Sequence, residues 1–94
     1  MKAIWNNKVI AESSDILNVD GFSYFPVESV NKEYLKDSEA HSICPWKGTA
    51  SYYDLVVDGK TNKKAGWYYP EPSELAQAIK GRIGFWNGVQ IVKD

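Results

Sequence analysis

Short runs rich in apolar and aromatic residues recur along this chain, and the polar pairs Asn-Asn, Asp-Gly and Asn-Gly separate them. That is the pattern of short strands joined by tight turns. Near the C-terminus, Ile83-Gly84-Phe85-Trp86 and Val89-Gln90-Ile91-Val92 flank Asn87-Gly88. Both central positions of a type I′ turn need φ > 0, which Asn-Gly supplies, so this stretch predicts a hairpin. Ala3-Ile4-Trp5 and Lys8-Val9-Ile10-Ala11 flank Asn6-Asn7 in a weaker version of the same pattern. Residues 16–19 and 22–25 flank Asp20-Gly21, a third candidate turn. Residues 49–57 form a long Tyr- and Val-rich strand; Asp58-Gly59 then opens a polar turn running to Lys64. Gly66-Trp67-Tyr68-Tyr69 returns from it, and Pro70 and Pro72 stop the strand because proline cannot donate to a ladder.

Two short helices are expected. Ser73 is placed to cap residues 73–80, Glu74 lies in the first turn, Lys80 in the last, and Gly81 can end the helix in the left-handed region. Leu75, Ala76 and Ile79 would share the face turned to the sheet. After Pro26, Val27, Val30 and Tyr34 recur at helical spacing. No linker or low-complexity tract divides the chain, so residues 1–94 read as a single domain.

Composition narrows what can hold such a domain together. One cysteine, Cys44, excludes an internal disulfide and a four-thiolate zinc site. The core must then come from apolar side chains, and the chain carries four Trp, six Tyr and three Phe. Each large ring buries about 150–250 Å². The net charge of −1 provides no basic face for duplex nucleic acid. The N-terminal residues lack the apolar core of a signal peptide, and no apolar run approaches the roughly 20 residues that span a bilayer. A reduced, cytoplasmic setting without membrane contact is the expectation.

The most distinctive stretch is Ser42-Ile43-Cys44-Pro45-Trp46-Lys47-Gly48-Thr49-Ala50-Ser51-Tyr52-Tyr53. With Tyr24-Phe25-Pro26, Trp67-Tyr68-Tyr69-Pro70, Gly81-Arg82-Ile83-Gly84-Phe85-Trp86 and the opening Ala3-Ile4-Trp5-Asn6, it resembles domain-of-unknown-function family 427. That family is also labelled nucleotidyltransferase-like domain 9. The resemblance implies a mainly β (α+β), β-tent-like domain: antiparallel hairpins in two small sheets meeting at an angle, with one or two short helices. Many β-tent proteins use two Cys-x-x-Cys zinc knuckles, from which this chain departs, so no zinc is expected. Some members of the wider fold hold cyclic ligands in a cage of rings, which implies an aromatic cage here.

Several kinds of chemistry can be weighed against this frame. Cys44 could act as a nucleophile with His41 as its base and Lys47 as a nearby cation. The plainer reading makes Cys44 a small buried hydrophobe before a proline. His41 and Cys44 with Glu39 or Asp37 supply only two strong metal ligands, so no metal or other cofactor is expected. Lys47-Gly48 could approach a phosphate, yet it lacks the Gly-rich loop and leads into a strand. Asp54 and Asp58 would lie about 13 Å apart along a strand, too far to share the ions of nucleotidyl transfer. Lys60, Lys63 and Lys64 beside Trp67, Tyr68 and Tyr69 could grip a single strand, although a solvated turn explains the lysines equally well.

Strand alternation puts Trp67 and Tyr69 on one face and Tyr68 on the other. One ring-bearing face can line the core while the other opens as a groove. The leading expectation is a small-molecule-binding module whose ligand meets Trp46, Lys47, Gly48, Tyr52, Trp67 and Tyr69. In it the rings stack on a flat or cationic ligand and Lys47 orients an anionic group. The alternatives are a Cys44/His41 enzyme and a protein-interaction module, monomeric or homodimeric.

Overall fold

A computed structural model describes residues 1–93. Among them the strands are β1 (Lys2–Trp5), β2 (Lys8–Glu12), β3 (Leu17–Val19), β4 (Phe22–Pro26), β5 (Leu35–Cys44), β6 (Gly48–Val57), β7 (Lys60–Tyr68), β8 (Arg82–Phe85) and β9 (Gln90–Val92). They form a three-stranded sheet in the order β2-β1-β9 and a six-stranded sheet in the order β3-β4-β8-β7-β6-β5. Every pairing is antiparallel. The mainly β, two-sheet architecture is therefore as expected.

The turns behave as their residues dictate. Asn6 and Asn7 (φ 51° and 63°), Asp20 and Gly21 (53° and 82°) and Asp58 and Gly59 (50° and 79°) all take positive φ and close the hairpins β1–β2, β3–β4 and β6–β7. Asn87 and Gly88 do so too (60° and 91°), and the Val89 N–H donates to the Trp86 carbonyl at 3.2 Å. Yet this fourth turn makes no hairpin, contrary to expectation. β8 already has β4 on one edge and β7 on the other, so it has no ladder left to offer. β9 crosses to the other sheet and pairs with β1, with Ala3 opposite Ile91.

Two further expectations change, and one strand had no counterpart in them. The tight turn at Asp58-Gly59 ends at once, and residues 60–64 begin β7 instead of forming a long polar loop. Residues 35–44, rich in charge, form the edge strand β5. Charge on an outer strand discourages pairing with other chains, which is why its pattern lacks a clean apolar face. The two helices are only 3₁₀ turns. Val27–Ser29 and Lys32–Tyr34 replace one, and Glu74–Ile79 is broken at Ala76 (φ −112°). Ser73 makes no side-chain cap, because its hydroxyl donates to the Trp46 carbonyl. Helices this short do not sustain themselves, even where the Asn31 side chain accepts from the Glu33 N–H at the start of Lys32–Tyr34. Ala76 and Ile79 still pack inward, whereas Leu75 is 83% exposed.

Alternation along β4 separates two cores. Phe25 faces the space between the sheets, where it joins Ala3, Ile10, Leu55, Val57, Ile83 and Phe85. Tyr24, its neighbour, faces the outer side of the large sheet with Ala50, Trp67, Tyr69, Ala76 and Ile79. Tyr53 and Tyr68 stack on the inner side with centroids 4.8 Å apart. No described helix is long and apolar enough to cross a membrane. Among the described residues no group of three or more His, Cys, Asp or Glu side chains is placed to hold a metal ion.

Candidate functional site

On the outer face, one lateral row runs Tyr24–Gly84–Trp67–Tyr52 across β4, β8, β7 and β6. Gly84 makes the row work. A Cβ there would lie 2.6 Å from the Trp67 indole, so only a bare backbone lets the ring lie across β8. The indole N–H then reaches the Tyr24 hydroxyl at 3.1 Å. Other rings meet this indole edge to face: Phe22 at 4.9 Å and 87°, and Trp86 at 5.8 Å and 79°. Such perpendicular contacts are the favoured geometry for ring quadrupoles.

Trp86 comes from the turn that failed to become a hairpin, and a bulge holds it. Between the pairs Tyr53–Gly66 and Leu55–Asn62, Asp54 alone on β6 faces residues 63–65 on β7. Lys64 adopts φ 58°, and the Asp54 carboxylate accepts its N–H at 2.9 Å. The bulge turns carbonyls away from the ladder. Trp86 donates its indole N–H to the Lys64 carbonyl and its backbone N–H to that of Ala65, while the Asn87 amide donates to Lys63. Asn62 in turn donates to the Asn87 carbonyl at 2.8 Å.

The opposite wall is Lys47, in the bend joining β5 to β6. Ser73 fastens that bend, donating its N–H to the Lys47 carbonyl at 2.9 Å and its hydroxyl to the Trp46 carbonyl. Gly48 closes it at φ +114°, with a Cβ position only 3.2 Å from the Glu71 carbonyl oxygen. Held this way, Lys47 is turned inward and only 6% exposed. Its Nζ lies 2.9 Å from the Asp20 carboxylate, 5.2 Å from the Trp46 ring centroid and 6.0 Å from those of Tyr24 and Tyr69. Asp20 also accepts from the Trp46 indole at 3.2 Å. Burial pulls the Lys47 ammonium down, but the Asp20 hydrogen bond with the nearby Tyr24 and Tyr69 outweighs it and the net shift is upward. The Lys47 hydrogen bond holds the Asp20 carboxyl below its ordinary value. Burial pushes the Tyr69 hydroxyl up to about 12.

Between these walls lies a pocket of about 170 Å³ lined by Phe22, Lys47, Tyr52, Trp67, Tyr69 and Trp86. Four of the expected ligand-binding residues, Lys47, Tyr52, Trp67 and Tyr69, line it. Trp46 instead stands beside the Lys47 ammonium, and Gly48 acts through its backbone. Phe22, Trp86 and Asp20 escaped the reading of the sequence. Each lies in or beside a turn whose signal was purely conformational, so nothing local marked its side chain.

Cys44 and His41 are not brought together. Their strand pairs regularly with β6 from His41 to Cys44, and residues three apart on such a strand point to opposite faces. Half-buried Cys44 packs against the outer ring cluster. His41 lies 3.3 Å from the Ser51 hydroxyl and borders a separate depression with Thr49, Pro70 and Glu71. Asp54 is spent on the bulge, and Lys63 and Lys64 line a different polar groove with Asp37 and Glu39.

No curated protein matches the chain significantly. The family model described as Domain of unknown function (DUF427) matches residues 1–94, the entire sequence, and the chain belongs to that family.

Proposed function

We propose that the outer-face pocket binds a flat, single-ring small molecule. The observation that carries this reading is the arrangement of Phe22 and Trp86 perpendicular to Trp67, left 37% and 45% exposed around an opening that a further ring would fill. Large rings left half in water beside a concavity are unfavourable for folding alone and are typical of ligand sites. A volume of about 170 Å³ is small beside the roughly 300–1,000 Å³ of sites for drug-sized ligands. It suits one ring, or the ring of a larger molecule whose remainder stays outside. The buried Lys47 ammonium in the wall disfavours a permanently cationic ligand and favours a ring carrying an acceptor oxygen. Two of the ammonium's three donors are not used by Asp20 and can serve that oxygen.

The test is a titration with benzamide and uracil, following the indole N–H signals by NMR. Trp67 and Trp86 should shift with one common saturation curve while Trp5, on the far sheet, stays still. Trp86→Ala should weaken the binding by about tenfold, the scale of one lost ring contact. Shifts confined to Trp5, or no saturable shift at millimolar probe, would remove the proposal.

The Cys44 enzyme finds no comparable support. Its thiol and the imidazole face opposite ways, and the imidazole meets the Ser51 hydroxyl instead of the thiol.

A further inference from the structure

Resting on that ring-binding reading, we infer that Asp20 is a built-in competitor for the pocket's anion contact, and that the ligand class is a flat ring bearing a carboxylate or an equivalent oxyanion. Among the described residues Lys47 is the only charged side chain lining the pocket, and its carboxylate partner Asp20 reaches it from outside the lining. The two partners are unequally placed: the Lys47 side chain is 8% exposed, that of Asp20 53%. Asp20 sits at the tip of the β3–β4 turn and accepts its second bond from Trp46, itself 38% exposed. Asp20 already stands half in water, so its own carboxylate loses little when it swings away from Lys47. Leaving Lys47 without any anion costs much more, because a buried charge would stand unpaired. An exchange of one carboxylate for another satisfies both constraints, and a neutral ring cannot drive it. The net upward shift at Lys47 keeps the amine protonated at neutral pH, which suits an anion contact and excludes an amine nucleophile.

The turn makes the decisive variant available. Asp20 holds φ 53°, where Asn is equally at home, so Asp20→Asn removes the charge without straining the backbone. Benzoate and its neutral counterpart benzamide are titrated into the wild type, Asp20→Asn and Lys47→Met, with near-UV circular dichroism as the check on folding. Asp20→Asn should bind benzoate about tenfold more tightly and benzamide within about twofold of wild type. Lys47→Met should lose benzoate and weaken benzamide by no more than about tenfold, the scale of the one hydrogen bond that benzamide's carbonyl oxygen accepts. In the wild type the Trp46 indole N–H should shift with benzoate, as Asp20 leaves it, and not with benzamide. If benzamide binds everywhere but benzoate is unchanged or weakened in Asp20→Asn, the competitor role is overturned while the ring pocket stands. Full benzoate binding by folded Lys47→Met would overturn the anion contact. Failure of both probes on every folded variant would end the ring-binding reading and this inference together.

Discussion

Position 84 is the residue on which the pocket's geometry turns. Its φ is unremarkable for a strand; what matters is the missing side chain beneath the Trp67 ring. Gly84→Ala would force a contact of 2.6 Å against a ring already held by Tyr24, Phe22 and Trp86. We expect it to lower stability by about 1–3 kcal/mol, the cost of overpacking a filled core, and to displace the Trp67 indole signal. Urea denaturation reads the first effect and NMR the second; a neutral substitution would mean the ring has room to slide. Sequence alone shows glycine in a strand and allows a bulge or a close approach. It does not say that a tryptophan seventeen residues away, directly opposite on the neighbouring strand, is the reason.

Among the elements, the bulge on β7 carries the most structural consequence. One carboxylate, Asp54, accepts the N–H that the bulge strands at Lys64, and the carbonyls it exposes hold Trp86 and Asn87. Asp54→Ala should therefore cost about 1 kcal/mol, the worth of one hydrogen bond. It should also speed hydrogen exchange at the Lys64 amide and the Trp86 indole while leaving the β6–β7 turn unchanged. Equal protection in the variant would show that the bulge supports itself. The same element explains the missed C-terminal topology. Asn87-Gly88 does form its turn, but the turn is docked on β7 and sends β9 away from β8. A turn signal reports backbone conformation over four residues and carries no information on which ladder edges are vacant.

At the scale of the whole molecule, pH should reveal how the rings and the Lys47–Asp20 ion pair share the load. Tyr53 and Tyr69 both have hydroxyls pushed up to about 12 by burial, from an ordinary 10.0. A raised value means the folded state resists ionisation that the unfolded chain accepts, so their contribution is intact below pH 10 and drains between about 10 and 12. Lys47, also raised, loses its contribution as pH climbs beyond its ordinary 10.5. Asp20 is lowered, so its share is present above its ordinary 3.8 and disappears as acid protonates the folded carboxyl. Thermal unfolding should thus show a plateau between acid and alkaline falls. Asp20→Asn should soften the acid fall and take the Lys47 share out of the alkaline one, leaving the share of the tyrosines. An acid limb identical in the variant would place that sensitivity elsewhere.

Local physics settled what lies within a few residues' reach. The positive-φ turns, the two-residue period of the strands and the opposite facing of Tyr68 from Trp67 and Tyr69 follow from backbone sterics and side-chain alternation, and all stand in the structure. The need for a ring-built core followed as directly from a chain with one cysteine and thirteen aromatic residues. Assembly decided everything that depends on distant partners: that β9 joins β1, that a charged segment serves as an edge strand, and that residues 73–80 yield their cap to the Trp46 carbonyl. It also placed Phe22, Trp86 and Asp20 around Lys47, because the space they share is bounded by strands β4, β6 and β7 and by the turns at Asp20, Lys47 and Trp86, which no short window contains.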